Sequence, residues 1–366
     1  MTCTTLRRRV APAAVICAAS LGFAACGAAN EAAAPEGGDE RLSGSIAGAG
    51  ASSQAAAMEA WIAGFTNQHP DVTINYDPIG SGGGREQFIN GGTVFAGTDA
   101  ALDEQELATA QKRCGGDVVE IPLYISPIAI IYNLEGVDQL QLSPVTIAGI
   151  FAQQITSWND PAIAADNPGV TLPNLPITPV NRSDESGTTE NFTDYLSATA
   201  PRVWTFEVSG NWPIPGGEAA QGTSGVVGAV GAGNGTIGYA DASQVGDLGV
   251  VSVGVGGEFV QPTPEAAAAV LGASERVEGG GQYVFAYDLA RDTTASGTYP
   301  IVLVSYEVAC ANYEDQQIGD LVGAFLNYTA SQEGQQAAAE AAGSAPISDS
   351  LREQIRPAID AIAATG

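Results

Sequence analysis

Lysine and histidine are nearly absent from this sequence: Lys112 is the only lysine and His69 the only histidine. The five cysteines are dispersed, so the chain lacks the clustered nitrogen and sulfur ligands of common metal sites. It also lacks a histidine base and a P-loop lysine, which argues against phosphoryl-transfer chemistry. We therefore expect no metal, no cofactor and no catalytic residue, and we do not expect an enzyme.

The sequence also lacks a hydrophobic run long enough for a comfortable membrane span, which needs roughly 20 apolar residues. A shorter apolar run at residues 10–25 follows three arginines, Arg7, Arg8 and Arg9. This pattern is typical of a secretory signal peptide, here residues 1–25. An uncleaved membrane anchor is the alternative.

The residues before Cys26 are small at the last two positions and apolar upstream (LGFAA, residues 21–25), which resembles a bacterial lipobox. Cys26 would then become the lipidated first residue of the mature protein. Residues 26–43 are rich in Ala, Glu, Gly and Pro and offer almost no apolar anchor, so we interpret them as a flexible tether.

Positive charge is scarce as well. The chain has 13 Lys plus Arg against 41 Asp plus Glu, a net charge of −28. Removal of residues 1–25 takes away three arginines and no acid, which gives 10 − 41 = −31. Such a surface repels nucleic acid and does not steer anions, so no nucleic-acid partner is expected and a small anion would need a local, shielded site. The acidic surface indicates either a saline or alkaline habitat or a purely solubilising role.

Two cysteines remain after the signal peptide and the lipidated residue are set aside, Cys114 and Cys310. Two thiols of an exported protein most often pair, so a disulfide is one reading. Two unlinked buried cysteines are the other.

Helical and extended patterns alternate along the remaining 320 or so residues, which predicts an α/β architecture of two domains. Residues 53–66 space Met58, Trp61, Ile62 and Phe65 on one helical face. In the glycine-rich residues 225–257, the spacing of β-branched residues favours strands with glycine turns over a low-complexity linker. The other predicted elements are strands at 72–76, 118–132, 177–180 and 302–308, and helices at 86–89, 100–110, 144–151, 189–196, 319–328 and 351–364.

A turn rich in glycine and hydroxyl residues precedes a predicted helix three times. We call these turn 1 (GAGASS, residues 48–53), turn 2 (GSGGG, residues 80–84) and turn 3 (DESGTT, residues 184–189). A helix N-terminus presents unpaired N–H groups, and glycine lets an anion approach them closely. Arg182 lies just before turn 3, and its forked guanidinium suits two oxygens of a tetrahedral oxyanion. Ordinary helix capping is the alternative for any single turn.

These motifs, in this order, resemble the substrate-binding protein of high-affinity phosphate ABC transporters over nearly the whole mature chain. The resemblance rests on residues 48–53 (GAGASS), 79–84 (IGSGGG), 95–100 (FAGTDA), 155–160 (ITSWND) and 182–189 (RSDESGTT).

The resemblance implies a two-lobed α/β fold of the periplasmic-binding-protein type II, a hinged clamp. Lobe 1 would comprise residues 44–127 and 304–366, and lobe 2 residues 128–303. It further implies a monomeric lipoprotein, lipid-anchored on the extracytoplasmic face of the cell membrane, that captures inorganic phosphate and delivers it to the permease subunits of an ABC importer.

Carried over position by position, the resemblance also implies a set of phosphate-binding residues. They are Ser52, Ser53, Ser81, Asp99, Arg182, Ser186, Gly187 and Thr188.

The sequence departs from the family's pattern at four positions. Ser53 stands where many relatives have Phe, Gln54 where many have Pro, Val94 where many have Asp, and Glu185 where many have Gly. The first two changes predict a turn 1 of different shape.

Asp99 bears on the choice of ligand. A carboxylate repels a fully deprotonated anion but accepts a hydrogen bond from HPO₄²⁻ or H₂PO₄⁻, and sulfate has no proton to give. The alternative is an N-cap for the helix predicted at 100–110. Asp184 could hold the guanidinium of Arg182 or cap the next helix.

Two other functions stay open at this point. Serine beside arginine also serves exported phosphatases and phosphotransferases. A phosphate sensor or surface adhesin without a transport partner would share the same binding motifs.

Overall fold

The computed structural model of the protein describes residues 41–363. The predicted signal peptide (residues 1–25), the predicted lipidation at Cys26 and most of the predicted tether (residues 26–43) lie outside the described residues. Among the helices of residues 41–363, none combines the length and the apolar character needed to cross a membrane.

Helices form where the sequence repeats apolar residues at helical spacing. In α1, Met58, Trp61 and Phe65 are buried on one face, as predicted, whereas Ile62 is half-buried. The helices are α1 (Ala55–Gln68), α2 (Ser81–Ile89), α3 (Glu104–Cys114), α4 (Pro144–Phe151), α5 (Pro161–Asp166), α6 (Gly187–Thr199), α7 (Gly222–Ala232), α8 (Pro264–Gly272), α9 (Gln316–Ala330), α10 (Gln332–Ala342) and α11 (Asp349–Ala363).

The strands alternate with these helices along the chain, which confirms the predicted α/β class. They are β1 (Gly44–Gly50), β2 (Val72–Asp77), β3 (Phe95–Thr98), β4 (Val118–Asn133), β5 (Leu140–Leu142), β6 (Thr178–Arg182), β7 (Glu218–Ala220), β8 (Thr236–Asp241), β9 (Gly249–Val255), β10 (Glu258–Val260), β11 (Glu275–Arg276), β12 (Tyr287–Asp288) and β13 (Val302–Cys310). Eleven of them join one sheet with the order β2-β1-β3-β13-β4-β8-β6-β7, and β9 pairs with β4, β5 and β10.

The long strand β4 joins two halves of this sheet. Its residues 118–127 pair antiparallel with β13, and its residues 128–133 pair antiparallel with β8. We call β2, β1, β3, β13 and residues 118–127 the first half-sheet. The second half-sheet comprises residues 128–133 with β8, β6, β7, β9, β5 and β10. Every residue from Val118 to Tyr132 is buried, as expected for a strand covered on both faces.

The structure corrects the prediction for the glycine-rich segment. Residues 222–232 form the helix α7, and only the later part of the segment forms strands, β8 and β9. Val226 and Val230, four residues apart on one helical face, pack with Val180, Ala129 and Ala240 in a buried apolar cluster. Burial of this face outweighs the low helix propensity of four interspersed glycines.

The starts of two helices also differ from prediction by four residues or more. Helix α2 begins at Ser81, five residues before the predicted start, so Gly82, Gly83 and Gly84 of turn 2 lie in its first turn. Gly84 has to be glycine because a Cβ there would lie 2.3 Å from the Cα of Gly50. Helix α3 begins at Glu104, because Asp103 caps it by accepting hydrogen bonds from the backbone N–H groups of Gln105 and Glu106.

A disulfide joins Cys114, at the end of α3, to Cys310, at the end of β13. Their Cα atoms are 5.3 Å apart, and both side chains belong to a small apolar cluster with Phe88 and Val308. The bond closes a sequence separation of 196 residues, so loop entropy alone predicts a stabilisation of about 5 kcal/mol.

Candidate functional site

Turn 1 leads from β1 into α1 and is held against the end of β3. Gly50 has a φ of 150°, and a Cβ at this position would lie 1.9 Å from the carbonyl oxygen of Gly97, so only glycine fits. The turn then places Ser52 and Ser53 ahead of α1, with exposed fractions of 7% and 0%.

Asp99 follows β3 and is the centre of a hydroxyl cluster. The Ser53 Oγ lies 2.7 and 2.8 Å from the two carboxylate oxygens and shares its single hydroxyl proton between them. Thr188 Oγ1 donates to Oδ2 at 3.0 Å, and Ser305 Oγ donates to Oδ1 at 2.7 Å. A carboxylate offers about four lone-pair sites, so three hydroxyl donors leave Asp99 able to accept one more hydrogen bond.

The environment of Asp99 acts on its pKa in two directions. Burial raises the pKa of this carboxyl, because the charged form loses hydration. The hydrogen bonds from Ser53, Ser305 and Thr188 and the positive charge of Arg182 oppose that rise. The net shift is upward. Asp99 does not cap α3, since Asp103 does, so the capping alternative for Asp99 is wrong.

Turn 2 meets turn 3 beside Asp99. The backbone N–H of Asp99 donates to Ser81 Oγ at 3.1 Å. A Cβ on Gly187 would lie 2.6 Å from the Cβ of Asp99 and 2.7 Å from Ser81 Oγ. Glycine at position 187 therefore allows the start of α6 to approach both residues.

Arg182 ends β6 and is 3% exposed. Its Nε donates to Asp184 Oδ1 at 2.8 Å, and its Nη2 donates to Asp184 Oδ2. Burial by itself raises the pKa of Asp184, but the hydrogen bonds and charge of Arg182 outweigh it and lower the pKa. Asp184 thus orients the guanidinium, and the N-cap of α6 is Ser186, whose Oγ accepts from the Thr189 N–H at 3.3 Å.

The Arg182–Asp184 pair lies against turn 2. A Cβ on Gly80, which has a φ of 101°, would be 2.6 Å from Asp184 Oδ2 and 3.5 Å from Arg182 Nη2. A guanidinium has five N–H donors and Asp184 takes two, so Arg182 keeps donors for an anion. The starts of α2 and α6 and this guanidinium converge, which is a donor-rich arrangement.

Ser52 points to a fourth turn that the sequence analysis did not include. Its Oγ accepts from the backbone N–H of Thr223 at 3.1 Å and lies 3.1 Å from Thr223 Oγ1. The backbone N–H of Gly222 donates to Asp184 Oδ1 at 3.0 Å. The start of α7 therefore joins the site. The segment GTSG (residues 222–225) repeats the glycine and hydroxyl pattern of the other turns, and that pattern could have identified it.

Ser305 is a second site residue that the sequence did not predict. It lies on β13, an apolar strand interrupted by Ser305 and Glu307, both 0% exposed. A polar residue within an apolar strand pattern indicates a buried polar side chain. The pattern does not indicate which residue the side chain contacts. The structure thus brings together all eight predicted site residues and adds Ser305 and Thr223.

The described residues contain no grouping of three or more His, Cys, Asp and Glu side chains able to hold a metal ion. The groups that converge around the buried carboxylate of Asp99 are hydroxyls, backbone N–H groups and the guanidinium of Arg182. Chemically, this combination suits a small oxyanion that carries a proton.

Comparison with known proteins agrees with this geometry. The model of the PBP superfamily domain matches residues 32–333. The chain is 37% identical to the phosphate-binding protein PstS 3 of Mycobacterium leprae over 322 residues, 86% of each chain. It is 37% identical to phosphate-binding protein PstS 3 of Mycobacterium tuberculosis (strain ATCC 25618 / H37Rv) over 324 residues, 86% of this chain and 85% of that protein.

A solved structure supports the same assignment. The high-affinity periplasmic phosphate-binding protein PfluDING, bound with phosphate, matches with a TM-score of 0.70 and 25% identity, over 86% of this chain and 93% of that one. The chain therefore belongs to the PstS phosphate-binding protein family of the PBP superfamily and has the two-lobed fold of periplasmic binding proteins.

Proposed function

We propose that this protein captures inorganic phosphate outside the cytoplasm and delivers it to the permease subunits of an ABC importer. One observation carries the proposal: Asp99 is a buried acceptor at the meeting point of helix starts, hydroxyls and the guanidinium of Arg182. The names of the relatives, phosphate-binding proteins, support the same ligand.

In this proposal the donors and the acceptor have separate tasks. Arg182 and the hydroxyl and N–H groups of turns 1, 2 and 3 bind the phosphate oxygens. The residues concerned are Ser52, Ser53, Ser81, Ser186, Gly187 and Thr188, of which Ser53 and Thr188 act through their backbone N–H groups because their hydroxyls donate to Asp99. Asp99 accepts a hydrogen bond from the P–OH group. Sulfate lacks this proton and would leave the remaining acceptor position of Asp99 unfilled beside an anion, which costs on the order of 1–3 kcal/mol or more for a charged group.

We further propose that residues 44–127 with 304–366 form lobe 1 and that residues 128–303 form lobe 2. The change of strand partner within β4, between Pro127 and Ile128, supports this division. The phosphate would lie between the lobes, where ligands of such folds bind, and closure would report a loaded site to the permease.

The test is to purify the mature protein, analyse it for bound phosphate by mass spectrometry, and titrate the stripped protein with an anion panel by calorimetry. We expect phosphate to bind at least about tenfold more tightly than sulfate. Equal affinity for the two anions would contradict the proposal. Steady phosphate release from a chromogenic ester would instead favour the phosphatase alternative.

Delivery to an importer is tested separately, in cells that lack other phosphate transport. We expect phosphate uptake to require both this protein and a permease. Normal uptake in its absence would favour a sensor or an adhesin.

We also propose that Cys26 carries a lipid anchor on the extracytoplasmic face of the cell membrane, and that the protein acts as a monomer. Cys26→Ser should release the protein from membranes or stall its processing, since no other residue would take the lipid. The measurement is membrane fractionation with metabolic lipid labelling, and Cys17→Ser is the matched control. A Cys26→Ser protein that stays lipidated and membrane-bound would overturn the assignment.

A further inference from the structure

A buried arginine connects the two sides of the site. Arg85 lies on α2, and its side chain is 6% exposed. We call the space between the two proposed lobes the cleft. On the side of the first half-sheet, Arg85 Nε pairs with Glu106 of α3 at 2.9 Å, and Arg85 Nη1 donates to Thr98 of β3 at 3.0 Å. Its Nη2 crosses to Glu185 in turn 3, at 2.8 Å from Oε1.

Glu185 belongs to the side of the cleft that carries the second half-sheet. Turn 3 follows β6, which pairs with β8 and β7 in the second half-sheet. The Glu185 side chain lies directly on the backbone of α2, since a Cβ on Gly82 would be 2.5 Å from its Cδ. Glycine at position 82 therefore leaves the space that this carboxylate occupies.

The two acids paired with Arg85 differ in whether their ion pair crosses the cleft. Glu106 and Arg85 are both carried by elements next to the first half-sheet, so their pair is independent of the cleft. The Arg85–Glu185 pair can form only when the two sides are together. Arg85 is held in place by Glu106 and Thr98, so little side-chain entropy is lost when Glu185 arrives.

We propose that Glu185 and Arg85 form a cross-cleft latch that sets phosphate affinity by slowing release from the closed site. This inference rests on the proposed function. The Glu185 side chain is 45% exposed, so solvent screens the pair and the expected effect is moderate. Neither side chain needs to contact the anion, so the latch should act on dissociation and leave association unchanged.

The test measures the release of radiolabelled phosphate from the full-length protein during a chase with unlabelled phosphate. We expect Glu185→Gln and Glu185→Gly to speed release about threefold to tenfold at low salt. The difference should shrink at about 0.5 M salt, because screening weakens the pair in the parent. The association rate should stay the same.

Glu106→Gln is the matched control, since it removes the same charge from the same guanidinium without crossing the cleft. We expect its release rate to match the parent. Equal release rates for parent and Glu185→Gln would overturn the latch. So would an equal acceleration by Glu106→Gln, which would indicate that both acids merely order Arg85.

A second measurement does not depend on phosphate. Spin labels at the exposed positions Glu59→Cys on α1 and Ala165→Cys on α5 report the separation of the two sides. In the phosphate-free protein we expect Glu185→Gln to shift this distance distribution to longer values. An unchanged distribution would overturn the latch. A parent that does not bind phosphate at all would overturn the proposed function, and the labels would still test the latch.

Discussion

Replacement of Arg182 by alanine is expected to weaken phosphate binding by well over tenfold. Arg182 is 3% exposed and brings a full positive charge to the meeting point of the turns. Truncation of one partner in a desolvated charge pair costs about 2–5 kcal/mol, which corresponds to about thirtyfold or more in affinity. Calorimetric titration with phosphate measures the loss.

Part of this loss will come from Asp184, which would be left without its guanidinium partner. The double change Arg182→Ala with Asp184→Asn removes that unpaired carboxylate, so comparison with the single variant isolates the contribution of the guanidinium. Arg202→Ala is the control for net charge, because Arg202 is exposed. An Arg182→Ala protein that binds phosphate within about threefold of the parent would contradict the proposed site.

The second large effect is expected at Asp99. In Asp99→Asn the side-chain amide can donate to an unprotonated oxygen as well as accept, so the preference for phosphate over sulfate should fall by at least about tenfold. Phosphate affinity itself should fall less than this preference does. Competition calorimetry with the two anions at one pH measures both quantities.

Asp160→Asn is the matched control for the Asp99 change. Asp160 caps α5 through the Ala162 N–H, a role that asparagine also fills, and it lies outside the site. We expect the control to keep the anion preference of the parent. If Asp99→Asn still excludes sulfate as strongly as the parent does, the role assigned to Asp99 is wrong.

The parts of the fold that the sequence predicted well are those with a strong local pattern. Helix α4 matches the prediction at both ends, since Ser143 caps it and Pro144 opens it. Strand β13 was predicted from its run of β-branched and apolar residues. In such segments the local preference and the tertiary environment agree.

The failures occurred where distant contacts decide the local structure. Helix α7 forms because Val226 and Val230 pack on strands β4, β6 and β8, and its own glycines disfavour it. The contacts within the site also join residues that are far apart in the chain. Ser305 and Asp99 are separated by 206 positions in the chain, and Ser52 and Thr223 by 171. No local pattern carries such pairings, whereas the three recurring turns could be found because each is a local signal.

Strand β13 has a consequence for how the chain folds. It lies between β3 and β4, although it follows β4 by more than 160 residues. Until β13 is available, β3 and β4 each present an unpaired edge, and such edges invite association between chains. Since pairings across long chain separations also form slowly, the first half-sheet can be completed only after the second has been synthesised. A chain interrupted anywhere before Val302 would lack the strand that both neighbours require, so folding of the first half-sheet depends on nearly the entire polypeptide.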